Sequence, residues 1–135
     1  MVISKTIGVE DNLRAFNAYR REIGRGVERA VRKANEYLLK ETLPVTPKDK
    51  GILRDSGKVN INGRGVNTTG FVSFSAPYAV YVHEDLSKYH APGTYAKFLE
   101  RTARAKKLQM REIMRSEIQQ ACKNTLGKIR AGIIQ

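Results

Sequence analysis

His83, Glu84, Asp85 and His90 place two imidazoles and two carboxylates within eight residues, inside "YAVYVHEDLSKYHAPGTYAKFLERTARA" at residues 78–105. Such groups could ligate a divalent cation or relay a proton. A helical zinc site of the H-E-x-x-H kind needs its second imidazole one turn after the first, so that both face the metal. Here the residue four past His83 is Ser87, and His90 stands seven away. The spacing fits no common metal site, and no metal or cofactor is expected.

Nucleophilic chemistry has no better footing. There is no Gly-x-Ser-x-Gly elbow, and Cys122 has no histidine within ten residues on either side. The two "GRG" triplets, at 24–26 and 63–65, lack the spacing of a phosphate-binding loop. Glu84, Asp85 and Glu100 could be assembled into an acid pair, but most folded chains offer such sets. The reading is of a protein that is not an enzyme. The segment around His83 then serves as a hinge or contact element, with Tyr78, Tyr81 and Val82 anchored in a core against Phe98 and Leu99. His83 and Glu84 form a hydrogen-bonded corner, and His83, Glu84, Asp85 and His90 offer contacts to a neighbour.

Composition narrows the class. The 135 residues suit one domain, with arms at 1–8 and 127–135, and an apolar fraction of 41% suits a packed core. No run is long and apolar enough to span a bilayer, and the first residues do not read as a secretory signal. A single cysteine fits a reducing cytoplasm. Lys and Arg number 25 against 13 Asp and Glu, a net charge of +12. Residues 101–135 carry nine basic and two acidic side chains, whereas residues 10–41 carry eight and six. The excess lies toward the C-terminus and favours nucleic acid or an acidic protein as partner.

The elements that must position these groups follow from periodicity. Val9, Leu13, Phe16, Ile23, Val27, Ala30, Ala34 and Leu38 recur at helical steps, which predicts one long helix over residues 9–42. Gly24 and Gly26 weaken it by roughly 1 kcal/mol each, so a bend or break is expected near Ile23–Gly26. Leu43-Pro44 and Thr46-Pro47 end the helix. Val59 and Ile61, the turn sequence "NGRG", and Val66–Ser75 predict a β-hairpin with Val72 and Phe74 on one face and Phe71 on the other. A second long helix is expected over residues 95–126. Leu99, Ala103, Met110, Met114 and Ala121 fall on one side of it, and Arg101, Arg104, Lys107, Arg111 and Arg115 on an adjacent side. The fold class is α+β: a long N-terminal helix, a small antiparallel sheet built on a β-hairpin, and a long C-terminal helix.

The ordered set "P-x-x-x-G-x-L-R-x-S" at Pro47–Ser56, a hairpin, "YAVYVHE" at Tyr78–Glu84, a Pro/Gly loop and "KFLERTA" at Lys97–Ala103 resembles the tail-completion or head–tail joining proteins of long-tailed bacteriophages. The likeness runs from the first helix to about Ala105. Two positions depart from the family pattern: Lys50 stands where a Thr is usual, and His83-Glu84-Asp85 replaces a Glu-Phe-Gly-Thr-like turn.

The resemblance implies a structural virion protein, assembled in the host cytoplasm. It would be a cyclic homo-oligomer, a hexamer or a dodecamer, at the neck between the head connector or stopper and the tail tube or its terminator. Packaged DNA would pass through the lumen. Arg101, Arg104, Lys107, Arg111 and Arg115 would then face the DNA path or an acidic neighbouring ring. The competing reading from charge alone is a basic nucleic-acid-binding module of a cellular ribonucleoprotein or nucleoid complex.

Overall fold

Two helices of unequal length, packed antiparallel, form the frame of the computed structural model, which describes residues 8–47, 51–84 and 96–130; of these, the side chains of 80–82, 129 and 130 are outside the description. The first helix, α1, spans Val9–Thr42, with Glu10 and Asp11 in its first turn and Lys40 in its last, the charge order that the helix dipole favours. The partner helix, α5, spans Lys107–Arg130. Their antiparallel register is fixed by Glu117 with Arg29 and Lys33, Lys128 with Glu22, and Lys106 with Glu41.

The break expected near Ile23–Gly26 does not occur: α1 is continuous from Val9 to Thr42. Both glycines are points of close approach. A Cβ on Gly26 would stand 2.4 Å from Ala121 Cβ, and one on Gly24 would stand 2.9 Å from Gly65 Cα. Tertiary packing therefore sustains the helix where local propensity is weakest. The buried stripe of α1 is Ala18, Gly24, Gly26, Ala30, Val31, Ala34, Asn35 and Leu38. Val9, Leu13 and Phe16, which share the expected apolar stripe, are exposed at 76%, 54% and 64%.

A 3-10 turn, Leu43–Val45, follows α1, and a single-turn helix, α2, spans Ile52–Asp55. The hairpin pairs β1 (Gly57–Asn62) with β2 (Thr69–Phe74) in antiparallel register, Val59 opposite Val72. As expected from alternation, Val72 is buried and Phe71 is half exposed on the other face. The strands lie across α1, and Gly70 permits it: a Cβ there would meet Asn35 Nδ2 at 2.5 Å and Val31 Cγ1 at 2.7 Å. The hairpin tip carries a 3-10 turn, Gly65–Asn67, seated on Gly24.

The "YAVYVHE" segment is a short helix, α3, over Ala79–Glu84. The expected single helix over 95–126 is two: α4, Phe98–Ala105, and α5, separated at Lys106, whose backbone leaves the helical region at φ −103°, ψ 11°. Helix α5 continues through 127–130, residues assigned to an arm by the sequence. Leu53, Ala76, Ala79 and Phe98 form the core at this end, with Val45, Phe74, Tyr78 and Leu99 packed against it. Buried threonines at 42, 46, 102 and 125 return their hydroxyls to the carbonyl four residues back, at 2.6–2.8 Å, so these polar groups enter the core satisfied.

Candidate functional site

The corner around His83 is built where α3 meets α4. The Lys97 amide donates to the His83 carbonyl at 2.6 Å, and Lys97 itself sits in the left-handed region at φ 54°. His83 stacks edge-on against the buried Phe98 ring, centroids 5.0 Å apart, and Phe98 meets Phe74 in the same manner at 5.3 Å. His83 Nδ1 lies 2.9 Å from Glu84 Oε1, and the Glu100 amide approaches Nε2 at 3.5 Å. This arrangement fits the tautomer with its proton on Nδ1.

The charged side of the corner is a chain of ion pairs. Lys97 Nζ reaches Glu84 Oε2 at 3.1 Å and Glu100 Oε2 at 3.4 Å, and Arg104 reaches Glu100 Oε1 at 3.0 Å. The hydrogen bond from His83, then the Lys97 ammonium, hold the Glu84 carboxyl below its ordinary range. Glu84, then Glu100, raise Lys97. Through Nε2 His83 meets α4, while Nδ1 orients its neighbour Glu84, which in turn reaches Lys97. Among the described residues no three metal-ligating side chains gather. Asp85, His90 and the side chains of Tyr81 and Val82 lie outside the described residues; Tyr78, Phe98 and Leu99 sit in or against the core.

The sequence set at Pro47–Ser56 acquires a structural role. Gly51 takes φ 78° ahead of α2, and Leu53 is 2% exposed. Arg54 donates from Nε to the Thr46 carbonyl at 2.8 Å and from a terminal nitrogen to the Pro44 carbonyl at 3.2 Å. Ser56 donates to the Leu53 carbonyl at 2.7 Å. The arginine thus satisfies carbonyls that the 3-10 turn after α1 and the residue capping it would leave unpaired. The sequence shows these residues at this spacing but not the clamp, which depends on a fold-back of eight to ten residues.

The basic stripe is divided by the break at Lys106. Arg101 and Arg104 are exposed on α4, and Lys107, Arg111 and Arg115 are exposed on α5. The last three line an open groove of about 490 Å³ together with Ala103, Met110 and Met114. Among the described residues Lys107, Arg111 and Arg115 make no ion pair. Cations flanking a methionine floor form a surface for an acidic, partly apolar partner.

Residues 10–101 match the family model described as "Bacteriophage HK97-gp10, putative tail-component". The chain belongs to this family. No curated protein and no solved structure matches it. The matched span takes in α1, the Arg54 clamp, the hairpin and the His83 corner, and ends in the first turn of α4. As a phage tail component the protein has a structural place in the virion, and no helix among its described residues is long and apolar enough to cross a membrane. Most of the basic stripe lies beyond the matched span, on α5.

Proposed function

We propose that this tail component acts at the neck, where copies close into a ring, most simply a hexamer, joining the head connector or stopper to the tail tube. A closed ring needs two different, complementary patches on each subunit. The observation that carries the reading is that this chain has two unlike exposed patches at opposite ends of the α1–α5 pair. One is the apolar stripe Val9, Leu13 and Phe16. The other is the methionine floor of the groove with its flanking cations. At 1.5 Å per residue the intervening length of α1 separates them by about 40 Å. They cannot both belong to a small two-fold contact, and a head-to-tail arrangement uses each once.

The groove takes an acidic protein surface rather than DNA. Phosphates would leave Met110 and Met114 uncovered, whereas an acidic amphipathic segment covers the floor and pairs with Lys107, Arg111 and Arg115. The start of α1 on the next subunit is such a segment, with Glu10 and Asp11 beside the exposed Val9 and Leu13. Arg104, already paired with Glu100, has a lesser part.

The test is the mass of the assembled species. Wild-type protein should form a closed oligomer, alone or on the neighbouring neck protein. Leu13→Asp with Phe16→Asp, or Arg111→Glu with Arg115→Glu, should leave folded monomers. A wild-type chain that stays monomeric with every neck partner, or variants that assemble normally, would refute the reading.

A further inference from the structure

We propose that Arg20, Arg21 and Arg64 form a phosphate-binding site that takes the backbone of duplex DNA without regard to sequence. The three guanidinium groups, two from one turn of α1 and one from the hairpin tip, line an open pocket of about 350 Å³ with Asn17, Val66 and Asn67. The site lies apart from the groove on α4 and α5 and does not rest on the ring reading.

The convergence is held by specific contacts. Gly24 and Gly65 let the tip lie directly on α1, with the ideal Cβ of Gly24 only 2.9 Å from Gly65 Cα. Gly65 has φ 57°, and its amide donates to Glu28 Oε1 at 2.7 Å. Arg64 precedes that lock by one residue, and Arg20 and Arg21 lie on the preceding turn of α1. Three like charges are thereby brought together, an arrangement that repels itself until an anion enters.

The acidic side chains nearby are committed elsewhere. Glu22 pairs with Arg25 at 3.0 Å and with Lys128 at 3.4 Å, and Glu28 holds the Gly65 amide. Among the described residues Arg20, Arg21 and Arg64 make no ion pair. Guanidinium forks match phosphate oxygens bidentately, and two asparagine amides add neutral donors.

The lining also selects the class of anion. Among the described residues Val66 is the one apolar side chain in it, too little for the desolvated centre of a protein interface. No aromatic ring among the described residues lines it, so bases of a single strand find no stacking platform there. Regularly spaced phosphates on a duplex need neither, and a net charge of +12 draws the duplex in from a distance.

The experiment measures binding of a labelled duplex of about 20 base pairs by the full chain, over a range of salt concentrations. Arg20→Gln, Arg21→Gln and Arg64→Gln together should lower the slope of log affinity against log salt by about 2 to 3, because each lost phosphate contact removes about 0.9. A control triple, Arg32→Gln, Lys58→Gln and Lys123→Gln, removes the same charge from exposed positions and should change the slope by less than about 1. Gly24→Ala alters no charge but lifts the tip off α1, and should weaken binding as Arg64→Gln does. Should the triple variant fail to fold, Arg64→Gln alone, on the exposed tip, gives the same comparison at one-third the size. Equal losses from both triples, an unchanged slope in the cluster triple, or displacement of the duplex by polyglutamate at equal charge would overturn the proposal.

Discussion

Gly26 of α1 and Ala121 of α5 meet so closely that a Cβ added to the glycine would stand 2.4 Å from the alanine Cβ. This contact sets the spacing of the two long helices at their crossing. Gly26→Ala should therefore destabilise the fold: overpacking costs about 1–3 kcal/mol and outweighs the roughly 1 kcal/mol of helix propensity that alanine gains. Gly127, with open space around its Cβ position on the same helix pair, is the counterpart. Gly127→Ala should stabilise by up to about 1 kcal/mol. Urea unfolding of both variants checks the pair, and a stabilised Gly26→Ala would show that the helices have room to spare.

The Arg54 clamp predicts an unequal response to two substitutions. Arg54→Ala leaves the Thr46 and Pro44 carbonyls without their donor and should cost about 1.5–3 kcal/mol. Arg54→Lys should recover only part of that, because a single ammonium cannot span two carbonyls as the fork does. Full recovery by lysine, read in the same unfolding assay, would reduce the clamp to a matter of charge.

Phe98, 1% exposed between Phe74 and His83, is the largest fully buried side chain among the described residues. Phe98→Ala should cost about 3–5 kcal/mol, and Phe98→Leu markedly less. A loss under 1 kcal/mol for the alanine variant would mean that this corner can collapse onto the space, contrary to the packing described.

The Glu84–Lys97 pair has a definite pH signature. Glu84 is held below its ordinary 4.5, so its contribution is present above that value and is lost as the pH falls through the lower folded-state value. Lys97 is raised above its ordinary 10.5, so its contribution is full below that value and is lost as the pH rises through the higher one. Both groups are exposed, and the effect on stability is correspondingly small. NMR titration of Glu84 should show a midpoint below 4.5 that moves upward in Lys97→Met. A midpoint unchanged by that substitution would remove the lysine from the account.

Much of the frame was legible in the sequence, and what escaped it has physical reasons. The hairpin was readable because alternation at Val59, Ile61, Val72 and Phe74 reports directly on a half-buried strand. The extent of α1 was readable from its period, but Gly24 and Gly26 read as weak points because propensity carries no information about neighbours 41 and 95 residues away, Gly65 and Ala121. Without Gly or Pro at Lys106, nothing local marks the break between α4 and α5. Val9, Leu13 and Phe16 continue the apolar period past the stretch of α1 that α5 covers, so a continuous stripe in sequence is only partly a core in the fold. In the sequence Arg20 is no more than a polar residue between Phe16 and Ile23. Its meeting with Arg64 joins positions 44 apart and exists only once the hairpin tip is seated on Gly24.

The proposed ring at the neck is open to direct test. The most direct measurement adds the purified protein to DNA-filled, tailless heads of its phage and reads, by electron microscopy and by tail joining, what the heads become. A ring of one subunit type should seat on the head vertex and the heads should become competent to accept tails, with neither seen for the Leu13→Asp, Phe16→Asp variant. Heads that bind no protein, or that accept tails equally well without it, would contradict the account.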